Sequence, residues 1–237
     1  MGPIERAEIP VLGDSRVFPV GRIWCVGRNF ADHAREMGHD PDRDPPFFFA
    51  KPADAVVAGD RDLRFPSATE NLHHEVELAV AIGSHGQDIE VSEARRLVFG
   101  YAVALDMTRR DLQDEAKRLS RPWAMAKGFD QSCPISAIRP AIDGHLISEG
   151  NIELRVNEAL RQSGDLNQLI WSIDECLSIL SQYVALRPGD LLLTGTPAGV
   201  GPVQPGDHLQ AQIENVGALT VHYEKNANSD CGQQEQT

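Results

Sequence analysis

Apolar and polar positions follow short repeats along most of this chain, and most of these repeats have the two-residue period of a β-strand. Strand-like runs occupy 22–27, 47–52, 76–80, 101–107, 151–156, 190–194, 207–214 and 218–223. The last two are joined by "NVG", which predicts a hairpin. Helical spacing covers about 29–37, 108–119 and 172–186, and a short helix is predicted to follow an N-cap at Ser92.

The order of these elements predicts an α+β, β-rich mixed fold. Helices are spread among the strands without the regular alternation of a doubly wound sheet. We expect residues 1–20 to form an irregular leader and 21–224 to form a single domain. The segment 38–46, rich in Pro and Asp, is predicted to be a loop, and the polar tail 225–237 is predicted to be disordered.

Composition and charge exclude several classes of partner. With 237 residues, 41% of them hydrophobic, the chain is long enough to bury a core. A formal charge of −13 argues against nucleic acid or an anionic membrane. No apolar run reaches the 18 or so residues of a membrane helix, and no signal pattern opens the chain, so we expect a cytoplasmic protein.

The four cysteines show no CxxC spacing, and this indicates free thiols and not a disulfide or zinc framework. They are Cys25, Cys133, Cys176 and Cys231. Scattered cysteines in an intracellular protein are usually buried and reduced.

The stretch "NLHHEVELAV" (71–80) places carboxylates on a strand that otherwise appears buried. Glu75 and Glu77 share one face, and Asp106 ends the apolar run "YAVALDM". Three oxygen ligands of this kind suit Mg²⁺ or Mn²⁺. The alternative is a solvated sheet face with Asp106 capping the next helix. The pattern alone does not choose between them.

Other polar residues have both a chemical and a structural interpretation. His33 and Glu36 are i and i+3 on a predicted helix, as a water-activating base and its partner would be, or as in a surface ion pair. Lys51 and Lys127 follow apolar residues, and either face an anion or extend to water. The run "PGDLLLTGTPAGVGP" (188–202) ends in a turn with backbone N–H groups that suit a carboxylate, or in a turn with no ligand.

Six segments in this order resemble the fumarylacetoacetate hydrolase family. They are "VGRNFADHAREMG", "FFFAKPADAVV", "HHEVELAVAIG", "GYAVALDMTRRDLQ", "PWAMAKGFDQSCPIS" and "LRPGDLLLTGTPAGVGP", and the likeness spans roughly 17–223. The resemblance implies a mixed β-roll with peripheral helices, a homodimer, and a Mg²⁺ or Mn²⁺ site. It implies metal ligands at Glu75, Glu77 and Asp106, catalytic residues at His33, Glu36 and Lys127, and substrate contacts at Arg28, Lys51, Arg110, Gln113 and Thr196.

Within the family, "RIWCVGRNFADHAREMGHDPDRDPPFFFAKPADAVV" is similar to the bacterial fumarylpyruvate hydrolases. The resemblance implies cleavage of a β-diketo acid, 3-fumarylpyruvate, to fumarate and pyruvate in gentisate-type aromatic catabolism. Arg28 and Arg43 are candidates for the second carboxylate of that substrate. The alternatives are oxaloacetate decarboxylation, hydrolysis of other acylpyruvates, and a non-catalytic scaffold.

The chain departs from that pattern at three positions, where Tyr, Tyr and Thr are the common residues. Trp24, Phe30 and Ala50 stand there instead. Because Phe30 and Ala50 each remove a potential hydrogen bond, we expect an effect on fine specificity.

Overall fold

Strands make up most of the computed structural model, which describes residues 6–36, 44–141 and 147–225. The first nine are β1 (Glu8–Pro10), β2 (Val17–Pro19), β3 (Ile23–Gly27), β4 (Phe47–Lys51), β5 (Val56–Ala58), β6 (Arg61–Leu63), β7 (Leu72–His74), β8 (Val76–Ile82) and β9 (Val98–Leu105). They are followed by β10 (Thr108–Arg109), β11 (Cys133–Ile135), β12 (Arg139–Pro140), β13 (Asn151–Val156), β14 (Ala159–Asp165), β15 (Leu191–Leu193), β16 (Gly201–Val203), β17 (His208–Ile213) and β18 (Gly217–Tyr223).

Helices lie between these strands and are short. They are α1 (Ala31–Glu36), α2 (Arg110–Arg118), α3 (Ala124–Lys127) and α4 (Ile173–Tyr183), with 3-10 turns at Ala53–Ala55, Val91–Leu97 and Leu166–Gln168. A capping box at Ser172 and Glu175 begins α4, as its sequence predicts. The N-cap predicted at Ser92 is wrong, because the 3-10 turn there begins after Glu90 and has no side-chain cap.

Two sheets form the body of the fold. The larger has the order β4-β3-β15-β8-β9-β11-β5, with β12 paired to β9. The smaller has the order β14-β13-β17-β18-β6, and it contains the predicted β17–β18 hairpin. A short third sheet has the order β10-β7-β16. This strand-rich α+β architecture confirms the predicted fold class.

Strand β8 lies at the centre and is buried on both faces. Its even-numbered residues, such as Leu78 and Val80, join a large core shared with the inner face of the smaller sheet. Its odd-numbered residues, Ala79 and Ala81, join a second core of mostly smaller side chains. Because the two faces of a strand alternate, Glu77 lies on the same side as the alanines.

The N-terminal segment is not irregular throughout, contrary to the prediction for residues 1–20. Strands β1 and β2 pair antiparallel, with Ile9 opposite Phe18. Both side chains are buried in the second core, so this hairpin covers the outer face of the larger sheet. Its short strands, each with one buried residue, give a weak signal in sequence. Residues 38–43 of the predicted loop and 226–237 of the predicted tail lie outside the described residues.

Candidate active site

Three carboxylates meet at one end of the β8–β9 pair. Glu77 is on β8, Glu75 directly precedes that strand, and Asp106 directly follows β9. The two strands are antiparallel with Val76 opposite Leu105, so the start of one lies beside the end of the other. One ligand oxygen from each carboxylate lies within 4.8 Å of the others, and all three residues are buried. In the stretch "NLHHEVELAV", both glutamates therefore point inward and not toward solvent.

Cationic side chains compensate two of these carboxylates. Lys127 Nζ lies 2.7 Å from Glu75 Oε2 and 2.6 Å from Asp106 Oδ2. Arg110 forms a second ion pair with Glu75. Burial by itself would raise the pKa of Glu75, but Lys127 and Arg110 lower it below the usual value. Burial likewise opposes the charge on Lys127, yet the two carboxylates raise its pKa.

Glu77 is different, because among the described residues no cationic side chain forms an ion pair with it. Its Oε2 accepts a hydrogen bond of 2.7 Å from the Gly195 N–H. Burial, Asp106 and Glu75 raise the pKa of Glu77 well above its usual value. A buried carboxylate facing two others needs a positive charge, and an all-oxygen set of three carboxylates suits a hard divalent cation. The residues present therefore fit Mg²⁺ or Mn²⁺.

The histidine–glutamate pair forms beside the carboxylates. On α1, His33 Nδ1 lies 3.3 Å from Glu36 Oε2, and His33 is buried against the pocket. Both oxygens of Glu36 lie 3.2 Å from the Gly199 N–H. A carboxylate beside Nδ1 favours the tautomer with its proton there and leaves Nε2 as an acceptor. The pair thus has the arrangement of an oriented base.

A pocket opens in front of the carboxylates. It is lined by Val26, Gly27, Arg28, His33, Phe47, Phe49, Glu75, Glu77, Asp106, Arg110, Gln113, Lys117, Trp123, Lys127, Gly195 and Thr196. This set includes four of the five predicted substrate contacts. Arg28 and Thr196 lie on its wall, and Arg110 donates a 2.5 Å hydrogen bond to Gln113. Arg43, the other candidate for a second carboxylate, lies outside the described residues.

Lys51 is the exception, because the structure places it behind the site and not in the pocket. Its side chain is fully buried, and Nζ lies 2.8 Å from Asp106 Oδ1. The same ammonium donates to the carbonyl oxygens of Met107, at 3.1 Å, and Lys127. The predicted substrate contact at Lys51 is therefore corrected: the residue supports Asp106 and the backbone that carries Lys127.

The sequence analysis did not identify the aromatic residues of the pocket wall, nor Lys117 beside them. Phe47, Phe49 and Trp123 line the pocket, and both phenylalanines pack edge-on against the tryptophan at 5.5 and 5.7 Å between ring centroids. Lys117 lies over the Trp123 ring at 5.6 Å. The amphipathic α2 signalled that one helix face is buried, but not that Lys117 would face the site.

The three departures from the family pattern lie outside the pocket lining. Phe30 is buried in the large core, and Ala50 is exposed on β4. The indole N–H of Trp24 is buried and has no hydrogen-bond partner among the described residues. None of these side chains lines the pocket, so the structure does not explain the expected effect on substrate specificity through direct contact.

The comparison with protein families decides the relationship. Residues 22–223 match the model "Fumarylacetoacetate (FAA) hydrolase C-terminal". The chain belongs to the fumarylacetoacetate hydrolase family. Its matched region includes every carboxylate and base described above, and a divalent-cation site is a property of this family that the buried triad fits.

Solved structures and related sequences within the family differ in the reactions they are named for. Fumarylpyruvate hydrolase from Pseudomonas aeruginosa, in complex with Mn²⁺ and pyruvate, is 47% identical with a TM-score of 0.93, covering 95% of this chain and 99% of that one. Mitochondrial oxaloacetate tautomerase of Homo sapiens is 41% identical, covering 87% of this chain and 96% of the relative. Mitochondrial oxaloacetate decarboxylase of Dictyostelium discoideum is 42% identical, covering 81% and 88%.

The described helices contain no segment long and apolar enough to cross a bilayer. The three described cysteines, Cys25, Cys133 and Cys176, are free and buried, as predicted; Cys231 lies outside the described residues.

Proposed function

We propose that this protein is a metal-dependent hydrolase that cleaves the C–C bond of a β-diketo acid. The substrate proposed is 3-fumarylpyruvate, and the products are fumarate and pyruvate, as in gentisate-type aromatic catabolism. The observation that carries this proposal is that His33, with Glu36 against its Nδ1, lines one pocket with the carboxylate triad and Lys127. Hydrolysis needs an activated water in addition to an enolate-stabilising site, and this pocket contains residues for both.

Glu75, Glu77 and Asp106 would hold Mg²⁺ or Mn²⁺, which would supply Lewis acidity to the oxygens of the pyruvate half. His33 takes a proton from water through Nε2, and Glu36 stabilises the imidazolium from the Nδ1 side. The water oxygen adds to the distal carbonyl carbon. The C–C bond then breaks, and its electron pair remains with pyruvate as the enolate.

Lys127 stabilises the negative charge that appears on the enolate oxygen. Its ammonium is held by two carboxylates at 2.6 and 2.7 Å, so it is oriented before substrate arrives. Burial of the site strengthens this interaction because little water screens it. A proton returned to the enolate carbon gives pyruvate, and the acyl half leaves as fumarate.

The part of the pocket wall formed by Arg28, Phe47, Lys117 and Trp123 favours a substrate whose second carboxylate ends a planar chain. Arg28 lies over the Phe47 ring at 5.5 Å, and among the described residues no carboxylate pairs with it. Lys117 lines the same wall, and burial and then Arg110 lower its pKa. Two cations beside Phe47 and Trp123 suit a planar unsaturated chain that ends in an anion. Acetylpyruvate has no such end.

The experiment measures pyruvate and the co-product from fumarylpyruvate, acetylpyruvate and oxaloacetate, each with Mn²⁺-loaded protein and an EDTA-treated control. We expect metal-dependent fumarate release with the highest kcat/KM for fumarylpyruvate. His33→Ala should lower kcat about 10²-fold or more, the usual contribution of a general base. His85→Ala changes an exposed histidine and is the matched control. Near wild-type hydrolysis by His33→Ala would refute the proposed base.

A variant of Lys117, assayed with two substrates, tests the contact with the second carboxylate separately. Lys117→Met should raise KM for fumarylpyruvate several-fold while leaving KM for acetylpyruvate unchanged. An equal rise for both substrates would contradict the proposed contact with the distal carboxylate.

Oxaloacetate decarboxylation or tautomerisation is the second candidate, supported by the named activities of the two mitochondrial relatives. Decarboxylation uses the same enolate but no attacking water, so His33→Ala should spare most of it. CO₂ release from oxaloacetate with little cleavage of either diketo acid would favour this candidate over hydrolysis.

We also propose that the protein acts as a homodimer in the cytoplasm. The dimer rests on membership of the family, and light scattering during gel filtration tests it. Fractionation of cells that express the chain tests the compartment.

A further inference from the structure

Gln162 is a fully buried polar residue on β14 that sequence reasoning did not single out. Its side chain makes four hydrogen bonds. Oε1 lies 3.1 Å from the Val76 N–H and 2.9 Å from His74 Nδ1. Nε2 donates to Thr196 Oγ1 and to the Pro197 carbonyl, both at 2.8 Å. The amide therefore connects the segment of the two glutamates to the turn that lines the pocket.

Two backbone groups fix the orientation of this amide. The Val76 N–H can only donate, so it requires an oxygen at 3.1 Å. The Pro197 carbonyl can only accept, so it requires the NH₂ group at 2.8 Å. Turning the amide over would place two donors together on one side and two acceptors together on the other. A single orientation thus satisfies both.

That orientation determines which way the Thr196 hydroxyl donates. The second N–H of Gln162 points to Thr196 Oγ1, so the hydroxyl oxygen is an acceptor toward the amide. Its own proton must go elsewhere, and among the described residues no acceptor is bonded to it. Thr196 is buried and lines the pocket, so the open direction is toward bound ligand.

We propose that Gln162 is a positioning residue that makes Thr196 a hydrogen-bond donor to the carboxylate of the keto acid. This inference rests on the proposed keto-acid site and not on hydrolysis as such. Thr196 follows Gly195, whose N–H already binds Glu77, so the same turn presents one donor to the triad and one to the ligand.

Gln162→Glu reverses this arrangement with almost no change of shape. A carboxylate still accepts from Val76 and His74, but it offers no N–H to Thr196 or to the Pro197 carbonyl. The Thr196→Val background controls for the loss at Pro197. The hydroxyl then donates to the new carboxylate and presents a lone pair to the ligand. Losing one hydrogen bond to a charged acceptor should weaken ligand binding about ten-fold or more.

Calorimetric titration of pyruvate into the Mn²⁺-loaded protein tests the proposal. Gln162→Glu and Thr196→Val should each weaken binding about ten-fold or more, and the double variant should be no weaker than Thr196→Val alone. Thr196→Ser retains the hydroxyl and should stay within about three-fold of wild type. If Gln162→Glu weakens binding equally in the Thr196→Val background, Gln162 acts through the backbone and the proposal is wrong.

Two further measurements separate the remaining explanations. Mn²⁺ affinity, measured in the same variants, should be the same in Thr196→Val as in wild type. If Gln162→Glu does not fold, Gln162→Met replaces it. We expect Gln162→Met to weaken pyruvate binding less than Gln162→Glu would, and to weaken it no further in the Thr196→Val background. Neutron diffraction on the deuterium-exchanged wild type shows the hydroxyl directly, and a deuteron directed at Gln162 would overturn the proposal. Normal pyruvate binding without diketo-acid cleavage would refute only the proposed hydrolysis.

Discussion

Lys51→Met removes a buried positive charge and leaves its partners in place. The ammonium is fully buried, 2.8 Å from Asp106 Oδ1, and it also donates to two backbone carbonyls. Breaking a buried ion pair on one side costs about 3–5 kcal/mol. Among the described residues, Asp106 would keep only Lys127 as a cationic partner, and Lys127 also pairs with Glu75. For a domain of this size each kcal/mol shifts Tm by about 2–4 °C, so we expect a fall of about 6–20 °C.

Differential scanning calorimetry of the metal-free protein measures this shift, and Lys117→Met is the matched control. Lys117 is partly exposed, and its ion pair with Asp114 spans 3.7 Å. Exposed pairs contribute about 0–1 kcal/mol, so the control should melt within a few degrees of wild type. A Lys51→Met protein that melts within about 2 °C of wild type while KM rises would show that Lys51 contacts substrate after all.

Other predictions concern the metal, the active-site turn and the thiols. Glu77→Gln should abolish the rise in Tm that Mn²⁺ gives the wild type, and calorimetry with and without Mn²⁺ measures it; retained stabilisation would refute its role as a ligand. Gly199→Ala should destabilise far more than Gly59→Ala, since both have positive φ but the new methyl would lie 2.0 Å from a carbonyl oxygen only at Gly199; equal unfolding midpoints in urea would contradict this. Burial raises the pKa of Cys133 and Cys176 to about 12, so both should remain protonated and unmodified by iodoacetamide up to pH 9. Peptide mass spectrometry checks this, and rapid alkylation of the folded protein would exclude it.

Much of the site was predictable because its residues interrupt strong local patterns. Glu77 breaks an apolar strand, and Asp106 ends one, so alternation made them candidates for an inward position. The family resemblance, and not the pattern alone, favoured that position over a solvated face. Cations were harder to assign. The environment of Lys51 depends on Asp106, 55 positions later in the chain, and a single sequence does not show whether such a lysine meets a ligand or a carboxylate beneath it.

Strand β14 was missed for a related reason. In its segment "ALRQSGD" the only buried residue is a glutamine, where a strand normally has an apolar residue. The polar side chain was buried because it satisfies four groups from two distant segments, and no local pattern reports such partners. The first hairpin was missed because each of its strands has only three residues.

The turn formed by residues 194–199 should tolerate substitution less well than the aromatic and basic wall of the pocket does. Within six residues it binds a triad carboxylate, faces the ligand, and donates to Glu36, so changes there would disturb several steps together. The aromatic and basic wall at Phe47, Lys117 and Trp123 comes from other elements. Under the proposed function, substitutions in that wall could change the acyl group accepted without altering the groups that bind the keto-acid half.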